Sequence, residues 1–398
     1  MNLSDIQKIV DNFKESLSKL ENHHKTQFDV IFFQHQPDRV GLAWLEPTLI
    51  STVYDVEPKR LLIVLCEQHY SQFCKDIHST HGFTYIPIDD LNGASPLYSL
   101  RQNVPTREVR LGKKILLLGN DYLWSRVYSS VMGLRNGLKP ILKRRYFYEL
   151  RSDVYRRHAI PFDKRLITLH VRDDGWTGVA GGQNFRSSNV QNYKPCIEFL
   201  VSKGYFVVRV GDKSMMPIEV ESSNFCDLTQ RTAFVDGDDV ILIANSDLYI
   251  GTSSGPICIP NLLSGIPVLS VNEPNLMCPF AEVSGESRAL NLTLLKKQID
   301  LRSGTVKNLA TRISDPLYHK KEQFDAAQVL LEENSAEDLK DAVEEMLLRI
   351  TGCWGAKDDL QTAKNIESLS FIRTLIGHGD NSLFSGGENC FYAKPSLS

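Results

Sequence analysis

The chain has 398 residues, 42% hydrophobic and 23% charged, with 45 Lys+Arg against 48 Asp+Glu for a net charge of −3. At roughly 150 residues per domain there is room for two or three domains with large cores. That composition excludes a disordered, collagen-like or polytopic membrane chain, and the lack of a basic excess argues against nucleic-acid binding.

Residues 3–20 place Leu3, Ile6, Val10, Phe13, Leu17 and Leu20 at alternating three- and four-residue spacing. This predicts an amphipathic helix, either packed on its own domain or offered to a second copy or a membrane surface. Short continuous apolar runs follow: FDVIFF (28–33), RLLIVLCE (60–67) and KKILLLGND (113–121). Buried parallel strands have this texture, and their alternation with helix-like stretches points to an α/β layered domain. Residues 122–150 read as helical. Residues 139–165 are locally basic (Lys139, Lys143, Arg144, Arg145, Arg151, Arg156, Arg157, Lys164, Arg165). They form either a solvated helix face or a surface for anions or a membrane.

HAIPFDKR reads as a linker, which puts a domain boundary near 160. The expected organisation is a helix over 1–25, an α/β lobe over 26–159, a second over 160–350, and a helix and polar tail over 351–398. In the second lobe, RLITLHV (165–171), YFVVRVG (205–211), DLYIGTSSG (247–255) and IPVLSVN (266–272) read as strands. A short apolar stretch, DVILIA (239–244), lies among them. YKPCIEFLVSKG is a helix ending on a glycine. NSAEDLKDAVEEMLLRI (334–350) is another, with Ser335 and Asp338 as a capping box and Leu339, Val343, Met346, Leu347 and Ile350 as its stripe.

Eight cysteines (Cys66, Cys74, Cys196, Cys226, Cys258, Cys278, Cys353 and Cys390) form neither a CxxC pair nor a zinc-spaced cluster with histidine. In apolar runs they serve as small hydrophobes. The opening MNLSDIQKIV carries charges where a signal peptide needs an apolar stretch. No run approaches the roughly 20 apolar residues of a membrane span. A cytoplasmic protein is expected.

Chemistry concentrates where strands end. In LHVRDDGWTGVAGGQNFRSSNVQNY (169–193) an apolar run stops at His170, Arg172, Asp173 and Asp174, before a glycine-rich loop and Arg186, Asn189 and Tyr193. Ligands of open α/β sheets bind outside the carboxyl ends of strands. VVRVGD ends the same way in Arg209 and Asp212. Arginine forks suit phosphate, so Arg172 and Arg209 are candidate phosphate ligands. Thr252, Ser253, Ser254 and Gly255, ahead of Pro256, form a candidate anion cradle at a helix start. No metal site is visible. The glycines form neither GxGxxG nor GxxxxGK[ST], which disfavours a standard dinucleotide fold and a P-loop.

HVRDD (170–174), FRSSNVQNY (185–193), GYFVVRVGD (204–212), DDVILIANSDLYIGTSSGP (238–256), IPVLSVN (266–272) and LEENSAEDLKDAVEEM (331–346) together resemble a bacterial family of surface-carbohydrate glycosyltransferases. The strand end at 170–174 also resembles that of fucosyltransferase-like GT-B enzymes. The resemblance implies a GT-B-like α/β fold of two Rossmann-like lobes facing a cleft, followed by C-terminal helices. It implies a nucleotide-sugar donor on the C-terminal lobe, a glycan or lipid-linked acceptor on the N-terminal one, and no cofactor or metal. On this reading Arg172, Arg209 and residues 252–255 bind the donor phosphates. Asp173 is the first candidate base and Asp174 the second, with His170 as base or loop anchor. Arg186, Asn189, Tyr193, Asp212 and Asp239 border the donor or the loop. The surroundings would be the cytoplasm, with peripheral contact to the inner face of the cell membrane and an oligomer through residues 3–20 as further expectations. A non-catalytic nucleotide-sugar-binding protein and a GT-B-like sugar-nucleotide epimerase are the alternatives.

Overall fold

The apolar runs are buried strands in the computed structural model, which describes residues 3–37, 39–103, 108–119, 139–175, 184–263, 265–274, 290–307, 312, 320–354 and 390–392. Two compact units meet in the chain at Leu142/Lys143. Each has its own mainly parallel sheet.

In the first unit, β1 (Val30–Gln34), β2 (Leu61–Leu65), β3 (Thr84–Pro87), β4 (Glu108–Leu111) and β5 (Lys114–Leu117) lie in the order β3-β2-β1-β5-β4. Every residue of β1 and β2 is buried, as parallel strands covered on both faces require. β4 pairs antiparallel with β5 at one edge. The helix Leu3–His24 places Phe13 and Leu17, both buried, in one cluster with Phe28, Ile31 and Phe33. The centre of its apolar stripe therefore closes its own core. Gly93 permits this approach: its φ is +81°, and a Cβ there would sit 2.8 Å from the Phe13 backbone nitrogen.

The second unit starts earlier than the linker-like HAIPFDKR suggests. The helix Arg144–His158, expected in the N-terminal lobe, is anchored to the second. Arg144 donates from Nε to the Ala244 carbonyl and from Nη2 to the Ser246 carbonyl, both at 2.8 Å. These carbonyls lie at the C-terminus of the helix Asp238–Asn245, where backbone acceptors lack helical partners. His158 Nε2 lies 2.8 Å from Asp238 Oδ2 at the other end of that helix. The basic stretch is largely engaged within the chain. Lys139 pairs with Asp55, Arg156 with Asp153, Arg157 with Asp238 and Arg165 with Asp247, while Lys164 bonds Asn224.

Its main sheet comprises β6 (Leu166–His170), β7 (Phe206–Arg209), β8 (Phe225–Asp227), β9 (Leu248–Gly251), β10 (Val268–Glu273) and β11 (Asn291–Leu295). A small antiparallel sheet is made of β12 (Lys297–Asp300), β13 (Thr305–Val306) and β14 (Val329–Glu332). The last strand, β15 (Cys390–Tyr392), returns to the edge of the main sheet, in a tail expected to be polar. The order is β15-β11-β10-β9-β6-β7-β8 and every pairing is parallel. Setting β15 aside, this is the 3-2-1-4-5-6 order of a doubly wound sheet. The winding reverses between β6 and β9.

The helices Lys194–Ser202 and Ala336–Ile350 form as the spacing predicts. Ser335 Oγ accepts from the Asp338 backbone at 3.1 Å, and Asp338 Oδ2 accepts in return at 3.0 Å. Leu339, Val343 and Met346 pack with Ile197 and Leu200 into the core under the sheet. DVILIA lies in the helix Asp238–Asn245. The helix expected in 351–398, most of 122–150 and the loop glycines Gly178, Gly181 and Gly182 lie outside the described residues.

Candidate functional site

All strands of the main sheet point the same way, so their carboxyl ends share one edge. There β6 delivers His170, Arg172, Asp173 and Asp174, β9 delivers residues 252–255, β10 ends in Glu273, and β11 leads into Lys296. The winding reverses between β6 and β9 at this edge, and such a switch point is the usual ligand position in open α/β sheets.

An expected phosphate ligand and the first candidate base turn out to bind each other. Arg209 has no exposed surface. Its Nη2 lies 3.0 Å from Asp173 Oδ2 and its Nη1 3.0 Å from Asp227 Oδ2. Asp173 also accepts from the backbone nitrogens of Gly175 and Met216, both at 2.9 Å. Asp227 accepts from Ile218 and Thr229. A guanidinium enclosed by two carboxylates is neutralised and cannot reach a phosphate in this conformation, and the Asp173 carboxylate is equally committed. Arg209 is corrected from phosphate ligand to strut and Asp173 from base to counter-ion. Together they clamp the stem of the glycine-rich loop to the 212–217 turn.

Thr252 is corrected likewise. It is fully buried, its nitrogen donates to the His170 carbonyl at 3.1 Å, and its Oγ1 accepts from the Arg172 nitrogen at 3.0 Å. It stitches β9 to β6. His170 is buried too. Burial first, then the Arg209 and Arg172 charges, bring its imidazole down to about 3, which keeps it neutral near neutral pH. Tyr193 belongs to the core, its hydroxyl accepting from Asn272 Nδ2 at 2.9 Å. Asn189 caps its own turn through Gln191, and Asp212 does so through Ser214. Asp239, partly buried at a helix start, is pushed up to about 6 by burial, with Asp236 and Asp238 adding to it.

The same edge carries Arg172, Arg186 and Lys296, with Glu333, Asp174 and Glu273 beside Lys296. Arg172 follows β6, and its carbonyl accepts from Ser188 at 2.9 Å, which draws the segment carrying Arg186 to the same place. Asp174 is exposed. Ser253, Ser254 and Gly255 are partly exposed, and Pro256 occupies the first turn as expected. The helical element there is a single 3-10 turn, Gly255–Ile257, leading into the five residues Cys258–Leu262. It lacks the long aligned dipole that the cradle expectation assumed.

Two residues escaped the sequence reading. β10 is bulged between Ser270 and Glu273, with Asn272 in the left-handed region at φ 55°, which asparagine tolerates. Asn334 locks that geometry: it accepts from the Asn272 nitrogen at 3.0 Å and donates its own to Asn272 Oδ1 at 2.8 Å. The bulge brings Glu273, 6% exposed, onto the Ser270 and Ser253 hydroxyls. Burial raises its carboxyl to about 7 against the pull of those hydroxyls, Arg186 and Lys296. The Lys296 nitrogen donates to the Glu273 carbonyl at 2.8 Å, and its Nζ to the Ser187 carbonyl at 2.7 Å. At 3% exposure its ammonium is pulled down by burial and supported by Glu333, Asp174 and Glu273. A charge directly after the apolar IPVLSVN was the available signal for Glu273. In the first unit, His35 follows β1 in the same manner, its Nδ1 2.8 Å from Tyr98 Oη and 3.4 Å from Glu67 Oε1.

Arg186 and Lys296 lie close to Glu273 and, through it, to the Ser253 hydroxyl, and guanidinium, ammonium and hydroxyl groups are all able to donate to an anion. Among the described residues no group of three His, Cys, Asp or Glu is placed to hold a metal, and no helix is long and apolar enough to cross a membrane.

No family model and no curated protein matches the chain. Solved structures with a similar course include the ADP-heptose LPS heptosyltransferase II of E. coli, at 13% identity and a TM-score of 0.38, over 65% of this chain and 89% of that one. A family 9 glycosyl transferase of Veillonella parvula DSM 2008 follows at 12% and 0.36, over 67% and 86%. The wall teichoic acid polymerase TagF, in its H548A form, aligns at 12% and 0.27, over 95% and 100%. At these scores the likeness bears on neither site nor substrate.

Proposed function

We propose that the chain is a GT-B-type glycosyltransferase that moves a sugar from a nucleotide-activated donor to a carbohydrate or lipid-linked acceptor in surface polysaccharide biosynthesis. The observation that supports this best is the position of Arg172, Arg186 and Lys296 at the carboxyl edge of a 3-2-1-4-5-6 sheet. When a glycosyl bond to a nucleoside diphosphate breaks, negative charge grows on the departing phosphate. Arg172, with Arg186 and Lys296, would meet that charge with donors already in place. Ser253, Ser254 and the Gly255 backbone would hold the remaining oxygens. Asp174, exposed beside Lys296, is the carboxylate at this edge that would take the acceptor's proton.

Thermal shift against UDP-, GDP-, ADP- and CDP-sugars tests the reading. A donor present at about 100 times its Kd adds roughly 2.7 kcal/mol of stability. Arg172→Ala should abolish that shift and lower turnover about a hundred- to a thousandfold, measured on the folded protein because Arg172 is buried. Equal stabilisation of wild type and Arg172→Ala by the donor would refute the assignment. Binding without turnover would indicate a carrier, and donor conversion without acceptor an epimerase.

A further inference from the structure

We propose that Glu273 meets the donor diphosphate as a neutral carboxylic acid, giving a hydrogen bond to one of its oxygens, so that donor binding takes up a proton from solvent wherever the carboxyl is ionised beforehand. This rests on the reading of the switch-point site above. A carboxyl among cations is ordinarily read as their counter-ion. Glu273 differs because it is 6% exposed, bonded by the Ser270 and Ser253 hydroxyls, with Arg186 and Lys296 close by. An ionised carboxylate beside a diphosphate would put like charges together in a poorly solvated place. Protonated, it becomes one more donor.

The surroundings allow the change. Ser270 and Ser253 bond Glu273 from β10 and the turn after β9, and hydroxyls can turn from donor to acceptor. Arg186 faces it from the segment after the glycine-rich loop, Lys296 from the end of β11, and the Tyr249 phenol from β9. Lys296 itself faces Asp174 and Glu333. Without ligand, burial already holds the carboxyl half-protonated at about pH 7, and an arriving anion pushes in the same direction. The backbone is fixed beforehand. The Glu273 carbonyl accepts from Lys296, and the Pro274 carbonyl accepts from Gln298 Nε2 at 2.8 Å and Arg312 Nη2 at 3.1 Å.

Isothermal titration calorimetry on the full chain tests this, using UDP-glucose, ADP-glucose and GDP-mannose, diphosphate diesters of constant charge across the range. Titrations in two buffers of different ionisation enthalpy give the protons exchanged. Wild-type affinity should fall about tenfold from about pH 6 to about pH 8, with uptake rising towards one proton. Glu273→Gln keeps the shape and a donor, so uptake should vanish and affinity become independent of pH. Ser253→Ala removes a bond to the ionised form and should move the midpoint upward, which keeps the test decisive if the glutamine variant folds poorly. Binding without proton uptake, or a pH slope that survives Glu273→Gln, would overturn the Glu273 assignment alone. If none of the three ligands binds wild type at any pH, the donor site and this proposal fall together.

Discussion

Replacing Arg209 separates a strut from a ligand. Arg209→Met keeps length and apolar volume but leaves Asp173 and Asp227 without the guanidinium they share, with side chains only 4% and 8% exposed. Their backbone donors remain: Gly175 and Met216 for Asp173, Ile218 and Thr229 for Asp227. Removing one member of a buried ionic group costs about 3–5 kcal/mol. At about 2–4 °C per kcal/mol for a domain of this size, the melting temperature should drop by about 6–20 °C. Removing the whole charged group is far milder than removing one member, so adding Asp173→Asn and Asp227→Asn should recover much of the loss. The assay is thermal and urea unfolding of the single and triple variants, with nucleotide-sugar binding measured on the folded protein. An Arg209→Met protein that melts within about 2 °C of wild type and no longer binds nucleotide sugars would refute the strut.

The fold was legible where burial is continuous and the run is purely apolar, whereas β11, NLTLL, is buried but polar-interrupted and went unread. β1, β2, β6, β7, β9 and β10 are short runs of Val, Ile, Leu and Phe, and such runs have few alternatives in a soluble chain. β3, β4 and β8 escaped because they are partly exposed or only three residues long, with TYIP carrying a proline. The unit boundary was misplaced because Arg144 takes its partners about a hundred residues away, on the carbonyls of 244 and 246, which no local pattern records. Strand-end logic located the edge at 170–174 and 252–255. It could not tell an outward charge from an inward one. Arg209 pairs in register with Asp227, and that pairing, invisible without the strand order, turns a presumed phosphate ligand into a buried strut. Glu273 was missed for the opposite reason, since a left-handed Asn272 breaks the alternation on which side-chain direction is read.

Gly93→Ala should destabilise the first unit, because the new methyl meets the Phe13 nitrogen at 2.8 Å and the Ile9 carbonyl oxygen at 2.9 Å, both backbone, at a φ of +81°. An added strain of about 1–3 kcal/mol is expected, read by urea unfolding, and an unchanged midpoint would show that the helix Leu3–His24 is not held against this turn. The last prediction concerns acid. His170 and His78 are both held neutral, at about 3, chiefly by burial, while an unfolded histidine titrates near 6.5. Below about pH 6.5 the unfolded chain therefore binds protons that the folded chain does not, and stability falls as pH falls. Each histidine contributes a loss of about 1.4 kcal/mol per pH unit down to its folded value. Glu273 works the other way: its carboxyl is raised to about 7, so its contribution weakens stability as pH rises from about 4.5 to about 7. Urea midpoints measured from about pH 7 to about pH 5 should decline less steeply in His170→Gln than in wild type, by one histidine's share. Parallel slopes for the two proteins would mean that His170 can take its proton in the folded state, and its place as a buried neutral side chain at the β6 strand end would have to be given up.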